Sequence, residues 1–177
     1  MPIPGDAAEW RLLGGLLAAP GEDSLAALEE LVPAHPWLEG SREELAPLPL
    51  DQWQAEHTRL FIAGHPKTPC PPFASAYLEG RMDGEATEKA REFYRLLGLA
   101  ADGAPADYLG TLLECAAWLR DQGCPGSGAL EDRLRGEFLA PWVGRFAADL
   151  QAHAQLALYR EVGARLAARF GDGSAHG

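Results

Sequence analysis

The stretch DQWQAEHTRLFIA (51–63) runs directly into GHPKTPCPPFASA (64–76), and the contrast between the two halves decides the fold. In the first half Trp53, His57, Leu60, Phe61 and Gly64 advance by threes and fours, which places them on one stripe of a helix ending near Ala63. The second half holds four prolines. Each fixes its own φ and pushes the residue before it towards extended geometry, so no regular helix runs through 64–76 and a stiff, extended loop is predicted. Helix followed by proline-stiffened loop is the pattern of the whole chain. Val32, Val143, Val162, Ile3, Ile62 and threonines 58, 68, 87 and 111 are its entire β-branched set, leaving little from which to build a sheet. Ala, Leu, Glu and Arg, all strong helix formers, dominate instead. With 20 glycines and 14 prolines in 177 residues, long straight helices are excluded. The prediction is an all-α, single-domain bundle of about eight to nine short helices over residues 1–171, with a flexible tail at 172–177.

Towards the N-terminus, Asp6 and Glu9 stand at capping-box spacing before Trp10, Leu13, Leu16 and Leu17, predicting a helix from Ala7 to Ala18 closed by Pro20-Gly21. Asp23 or Ser24 caps a second helix carrying Leu25, Leu28, Leu31 and Val32, which Pro33 and Pro36 stop. Residues 33–49 read as a connector with a short helical piece at Ser41 to Ala46. Downstream, Asp83-Gly84 precedes a helix with Ala86, Ala90, Phe93, Tyr94 and Leu97 on one face and Gly98 at its C-cap. Pro105 is placed as the first residue of the next helix, which sets Asp107 in its first turn and gives the stripe Leu109, Leu112, Ala116 and Leu119. DQGCPGSG (121–128) reads as a joint, with Ser127 capping the segment Ala129 to Leu139. Beyond Pro141, Phe146, Leu150, Ala154, Leu158, Val162, Leu166 and Phe170 read as one long final helix.

The charge balance is 15 basic against 26 acidic side chains, a formal −11. Such an excess disfavours nucleic acid and suits a cationic or apolar partner. Cys70, Cys115 and Cys124 are odd in number and lack C-x-x-C spacing, as expected of reduced thiols in a cytoplasmic protein. No apolar run reaches the roughly 18 residues of a membrane span. Leu12 to Ala19 has the length of a secretion core, but acids rather than bases precede it, so it is read as a buried helix. Histidines 35, 57, 65, 153 and 176 form no H-E-x-x-H or i, i+4 pair, and His65 with Cys70 makes only a weak metal pair. There is no G-x-S-x-G elbow, no G-x-x-x-x-G-K loop, and Cys115 falls inside a helix. No catalytic residue, metal ligand or cofactor site is therefore assigned. What remains is a recognition surface: Phe73 and Tyr77 beside the prolines form a rigid apolar wall for a helix or extended peptide, or equally anchor the loop to the core. Glu56, Glu79, Asp83 and Glu114 read as solvated or paired surface groups.

Five motifs in order, E-H-T-R-L-F (56–61), P-K-T-P-C-P-P-F-A-S-A-Y (66–77), G-L (98–99), P-A-D-Y-L (105–109) and L-L-E-C (112–115), followed by F-L-A-P-W-V-x-x-F (138–146), resemble the TorD/DmsD/NarJ family of redox-enzyme maturation chaperones. The resemblance implies a TorD-like fold without enzymatic activity. It implies a cytosolic chaperone that binds the twin-arginine leader and the apo form of a molybdopterin-dependent oxidoreductase of the dimethyl sulfoxide reductase superfamily, assists cofactor insertion and delays export. Two positions depart from the family pattern. Phe73-Ala74-Ser75-Ala76-Tyr77 stands where P-P-Y-E-S-V-Y is common, and Tyr108 stands where P-D-H-L has histidine. By resemblance the peptide-binding set is Phe73, Ser75, Tyr77, Asp107, Tyr108 and Glu114. Asp107 and neighbouring carboxylates are expected to attract the arginines, and Phe73, Tyr77 and Tyr108 to cover the apolar segment. The implied partners are the leader peptide and apo catalytic subunit, with no nucleic acid and no stable membrane insertion. The chain is a monomer or a dimer that exchanges helices about 121–128. Two other classes fit the residues without the resemblance: a small helical metal-dependent enzyme using His57 and His65, and a helical regulator with a closed cavity for a small apolar ligand.

Overall fold

Alternation of Ala- and Leu-rich segments with Gly and Pro punctuation produces ten α-helices among the described residues, 6–100 and 103–171, of a computed structural model. They are α1 (Asp6–Leu16), α2 (Ser24–Leu31), α3 (Glu39–Leu45), α4 (Leu50–Phe61), α5 (Ala74–Glu79), α6 (Glu85–Leu96), α7 (Leu109–Gln122), α8 (Ser127–Leu134), α9 (Val143–His153) and α10 (Ala157–Phe170). A 3₁₀ turn at Pro36–Leu38 leads into α3, and a π-helical turn at Arg135–Leu139 extends α8. The described residues contain no strand; Phe73 and Tyr108 form an isolated antiparallel bridge. The fold class agrees with the all-α expectation.

Two helix pairs organise the core: α1 lies along α7 and α9 along α10. At Gly163 on α10, a Cβ would sit 3.1 Å from the Ala147 carbonyl oxygen and 3.0 Å from Gln151 Cγ. The missing side chain lets these two helices approach closely. Trp10, Leu13, Leu112, Trp142, Phe146, Tyr159 and Val162 are buried between the layers, each worth about 1.5–3 kcal/mol of apolar burial. Two of the indoles have their polar ends satisfied: Trp53 Nε1 donates to Tyr159 Oη at 3.1 Å, and Trp142 Nε1 donates to the Phe138 carbonyl at 2.7 Å.

The structure corrects several expected boundaries, and the reasons are tertiary. The final stripe is divided between α9 and α10 although no Gly or Pro stands at the division, residues 154–156. Glu56 of α4 makes the break: its buried carboxylate accepts the N–H groups of Gln155 at 2.5 Å and Leu156 at 3.3 Å, while Glu44 of α3 accepts that of Ala157 at 2.7 Å. Arg59 Nη2 donates to the carbonyl of His153 at 2.8 Å, closing the end of α9. Glu56 is thus not the surface group its composition suggested. Glu79, on α5, likewise accepts the N–H groups of Glu85 at 2.7 Å and Ala86 at 2.9 Å, capping α6 where Gly84 offers no side chain. Helix α7 starts at Leu109, not Pro105, because Pro105 to Tyr108 form a turn closed by Tyr108 N–H donating to the Pro105 carbonyl at 3.0 Å. Ser127 is the first residue of α8, not its cap; its hydroxyl donates to the Cys124 carbonyl at 2.8 Å. Glu9 faces Arg169 and Arg165 of α10, so its carboxylate ties α1 to α10. The expected tail at 172–177 lies outside the described residues.

Candidate functional site

After α4 ends, the proline-rich segment folds back on the helix. Cys70 N–H donates to the Leu60 carbonyl at 2.9 Å and the Thr68 hydroxyl donates to that of Ile62 at 3.2 Å. A Cβ at Gly64 would lie 2.7 Å from both the Arg59 carbonyl oxygen and Pro69 Cδ, so the reversal needs glycine there. Gly64 consequently falls outside the helical stripe to which its spacing assigned it. The segment then runs antiparallel to residues 107–109: Leu109 N–H donates to the Pro72 carbonyl at 2.9 Å and Ala74 N–H to that of Asp107 at 3.2 Å. The final residues expected in the loop, Ala74 to Ala76, instead begin α5.

Asp107 locks this junction from behind. It is 1% exposed; Oδ2 accepts the Ser75 N–H at 2.8 Å and Oδ1 accepts the Thr87 hydroxyl at 3.0 Å. One carboxylate therefore joins the start of α5, the first turn of α6 and the turn before α7. Its negative charge complements the first N–H groups of α5, which have no partner within that helix, rather than those of its own helix. The adjacent Ala106 carbonyl is held by the Tyr94 hydroxyl at 2.8 Å. The clamp sets the Phe73 and Tyr108 rings 5.6 Å apart.

Those two rings form one wall of a mostly apolar cleft of about 470 Å³, completed by Phe61, His57, Pro71 and Ala19. Ile62, 63% exposed, and Met82, 46% exposed, are also part of its lining and present apolar surface to solvent. His57 Nε2 lies 2.9 Å from the Leu17 carbonyl. Burial holds this imidazole below its ordinary pKa, with the Leu17 contact opposing the shift. Burial also raises the Tyr108 phenol above its usual range, so it remains neutral at physiological pH.

The structure therefore brings Phe73 and Tyr108 together at the cleft and sets Asp107 behind them. Ser75 is fully buried, with its N–H on Asp107. Tyr77 turns away: its hydroxyl donates to Asp149 at 2.8 Å and its ring packs 5.6 Å from that of Trp142, anchoring α5 to α9. Glu114 lies on α7, with Arg11 Nε 3.2 Å from its carboxylate, and does not line the cleft. The two uses foreseen for the loop aromatics are thus divided between Phe73 and Tyr77. Ala19, Ile62 and Met82 were not anticipated, because packing of the segment after α1, the end of α4 and the loop before α6 brings them to the cleft. His65 is exposed and Cys70 buried, and among the described residues no group of three or more His, Cys, Asp or Glu side chains is disposed to hold a metal.

The model of the family described as nitrate reductase delta subunit matches residues 16–148. The chain belongs to this family. The matched span contains both halves of the clamp. This delta subunit family member is similar to chaperone protein YcdY of Escherichia coli strain K12, with 34% identity over 113 residues, 64% of this chain and 58% of the relative. It is also similar to the Tat proofreading chaperone DmsD of Salmonella paratyphi A, with 31% identity over 140 residues, 76% of this chain and 63% of the relative. The chain thus matches about three fifths of the length of these relatives. In fold it resembles a crystal structure of a putative redox enzyme maturation protein from Archaeoglobus fulgidus, with a TM-score of 0.69 at 22% identity over 97% of this chain and 96% of the other.

Proposed function

We propose that this delta subunit family member is a cytosolic chaperone for a molybdopterin-dependent oxidoreductase of the dimethyl sulfoxide reductase superfamily. It holds the twin-arginine leader and immature body of the catalytic subunit, assists cofactor insertion and delays export until maturation. The observation that carries this reading is the apolar cleft walled by Phe73 and Tyr108 on a chain of net charge −11. A twin-arginine leader joins a cationic end to apolar residues, and the cleft and the charge complement these two parts. Kinship with chaperones named YcdY and DmsD supports the same role.

Asp107 enters the reading as a positioning residue. Its carboxylate is inside the protein and hydrogen-bonded on both oxygens, so the acidic surface as a whole draws the arginines while Asp107 keeps Phe73 and Tyr108 in register. Binding requires no bond chemistry from the chaperone. The test is titration of a fluorescent leader peptide at rising salt. Affinity should fall as salt screens the arginines, chiefly through slower association, and should fall further when Phe73 is changed to alanine. A peptide that does not bind, or binding indifferent to both salt and Phe73→Ala, contradicts the proposal.

A further inference from the structure

We infer that the cleft is one half of a longer trough, and that the other half, between α1 and α2, seats the apolar run of the same leader; this rests on the function proposed above. The second half is a groove of about 620 Å³ with Leu12 and Leu16 of α1 facing Ala27 and Leu31 of α2. Ala19 lines both this groove and the cleft, so the two adjoin at the end of α1. Helix α2 has an incompletely buried apolar stripe: Leu28 is its sole buried side chain, while Leu25 and Leu31 are half-buried. An amphipathic helix normally buries its apolar stripe against a partner. Here much of the stripe forms a groove wall.

Charge selects the occupant. Glu22 and Asp23 are exposed in the turn after Pro20, which lines the groove, and neither makes an ion pair with a described residue. Arg11, also lining the groove, is paired with Glu114 at 3.2 Å and Asp121 at 2.6 Å, so its positive charge is locally compensated. A segment with basic residues beside an apolar run therefore fits in one orientation, with its arginines over the Glu22–Asp23 turn and its apolar run between α1 and α2. Helix α1 has 11 residues and is about 16 Å long, enough for roughly three turns of a bound helix. Apolar residues flanking the arginines on the other side reach the Phe73–Tyr108 wall.

Gly15 permits a direct test. It is an exposed residue of the groove wall, and a Cβ placed on it meets nothing within 4 Å, so Gly15→Trp fills the groove without displacing the core. Ala27→Trp does so from α2 and guards against a folding defect peculiar to either variant. The probe is a synthetic peptide with a few apolar residues before adjacent arginines and about 7–15 apolar residues after them, compared with a short form ending at the arginines. Both tryptophan variants should bind the long peptide about tenfold or more weakly, a loss of about 1.4 kcal/mol, and the short peptide as wild type does. Phe73→Ala should weaken both peptides, and Glu22→Gln with Asp23→Asn should reduce the salt dependence. Unchanged affinity of the long peptide for Gly15→Trp and Ala27→Trp overturns the trough while leaving the cleft reading intact. Failure of wild type to bind either peptide overturns both. A wild-type dimer that Gly15→Trp dissociates, with peptide affinity unchanged, assigns the groove to a second copy of the chain and also overturns the inference.

Discussion

Asp107→Ala separates an internal clamp from a surface contact. In the wild type the carboxylate accepts from Ser75 N–H at 2.8 Å and from the Thr87 hydroxyl at 3.0 Å, inside a site where Asp107 is 1% exposed. Each bond to a buried charged acceptor contributes about 1.5–3 kcal/mol, and alanine leaves both donors without that partner. The expected loss is therefore about 3–6 kcal/mol, at the upper end of single-residue effects. At about 2–4 °C per kcal/mol for a domain of this size, the melting temperature should fall by roughly 6–24 °C. Asp107→Asn is the discriminating partner. The amide oxygen can accept the Ser75 N–H and the amide nitrogen can donate to Thr87 Oγ1, so it should recover most of the stability, within about 1 kcal/mol of wild type. Urea denaturation measures these differences, with unchanged slopes showing that the unfolding transition itself is preserved. Peptide affinity should follow the same order, with asparagine close to wild type. The reasoning is refuted if alanine costs less than about 1 kcal/mol, or if asparagine keeps full stability yet abolishes leader binding, as loss of a direct charge contact would.

Glu56→Ala should destabilise the break between α9 and α10 by about 3–5 kcal/mol, since it strands the Gln155 and Leu156 N–H groups and the Arg59 charge; hydrogen exchange should show faster opening at 154–157 than elsewhere. Acid should weaken the fold. Burial lowers the His57 pKa below its ordinary 6.5, so between the folded and unfolded values the unfolded chain binds more protons and stability falls as pH drops below about 6.5. Glu79, held below 4.5 by its bonds to Ala86 and Glu85, adds a loss in the same direction nearer pH 4. His57→Gln should flatten the upper part of a urea-midpoint profile measured between pH 7.5 and 5.5. Thiol labelling of the native protein should modify Cys124, which is exposed, well before Cys70 and Cys115, whose thiols are buried and pushed up to about 12; equal labelling rates would contradict the packing described.

Helix faces were legible because their periodicity is a local property. Trp53, Leu60 and Phe61 on α4, and Ala90, Phe93 and Tyr94 on α6, point inward as their spacing requires. Helix ends were less legible because their partners lie outside the local capping positions, from 6 to 113 residues away. Asp107 serves α5, Glu79 serves α6, and Glu56 with Glu44 serves α10; none stands beside the helix it caps. For the same reason the continuous spacing from Phe146 to Phe170 concealed a break in the helix imposed by α4. At the site, the prolines announced a rigid wall and brought attention to Phe73, and resemblance pointed to the 105–109 motif. Neither revealed that Asp107 faces inward, since a carboxylate in a first helical turn and one clamping a neighbouring helix look alike in sequence. Ile62, Met82 and Ala19 join the cleft through packing that no spacing encodes.

The central claim is that an apolar, proline-stiffened cleft on an acidic chain grips another protein's export leader, and isothermal titration of wild type and Phe73→Ala with a twin-arginine leader peptide tests it most directly. The account predicts saturable one-to-one binding to wild type that weakens about tenfold or more in the variant and declines with salt. Equal affinity of the two proteins at every salt concentration, or no heat of binding confirmed by no change in peptide anisotropy, would contradict it.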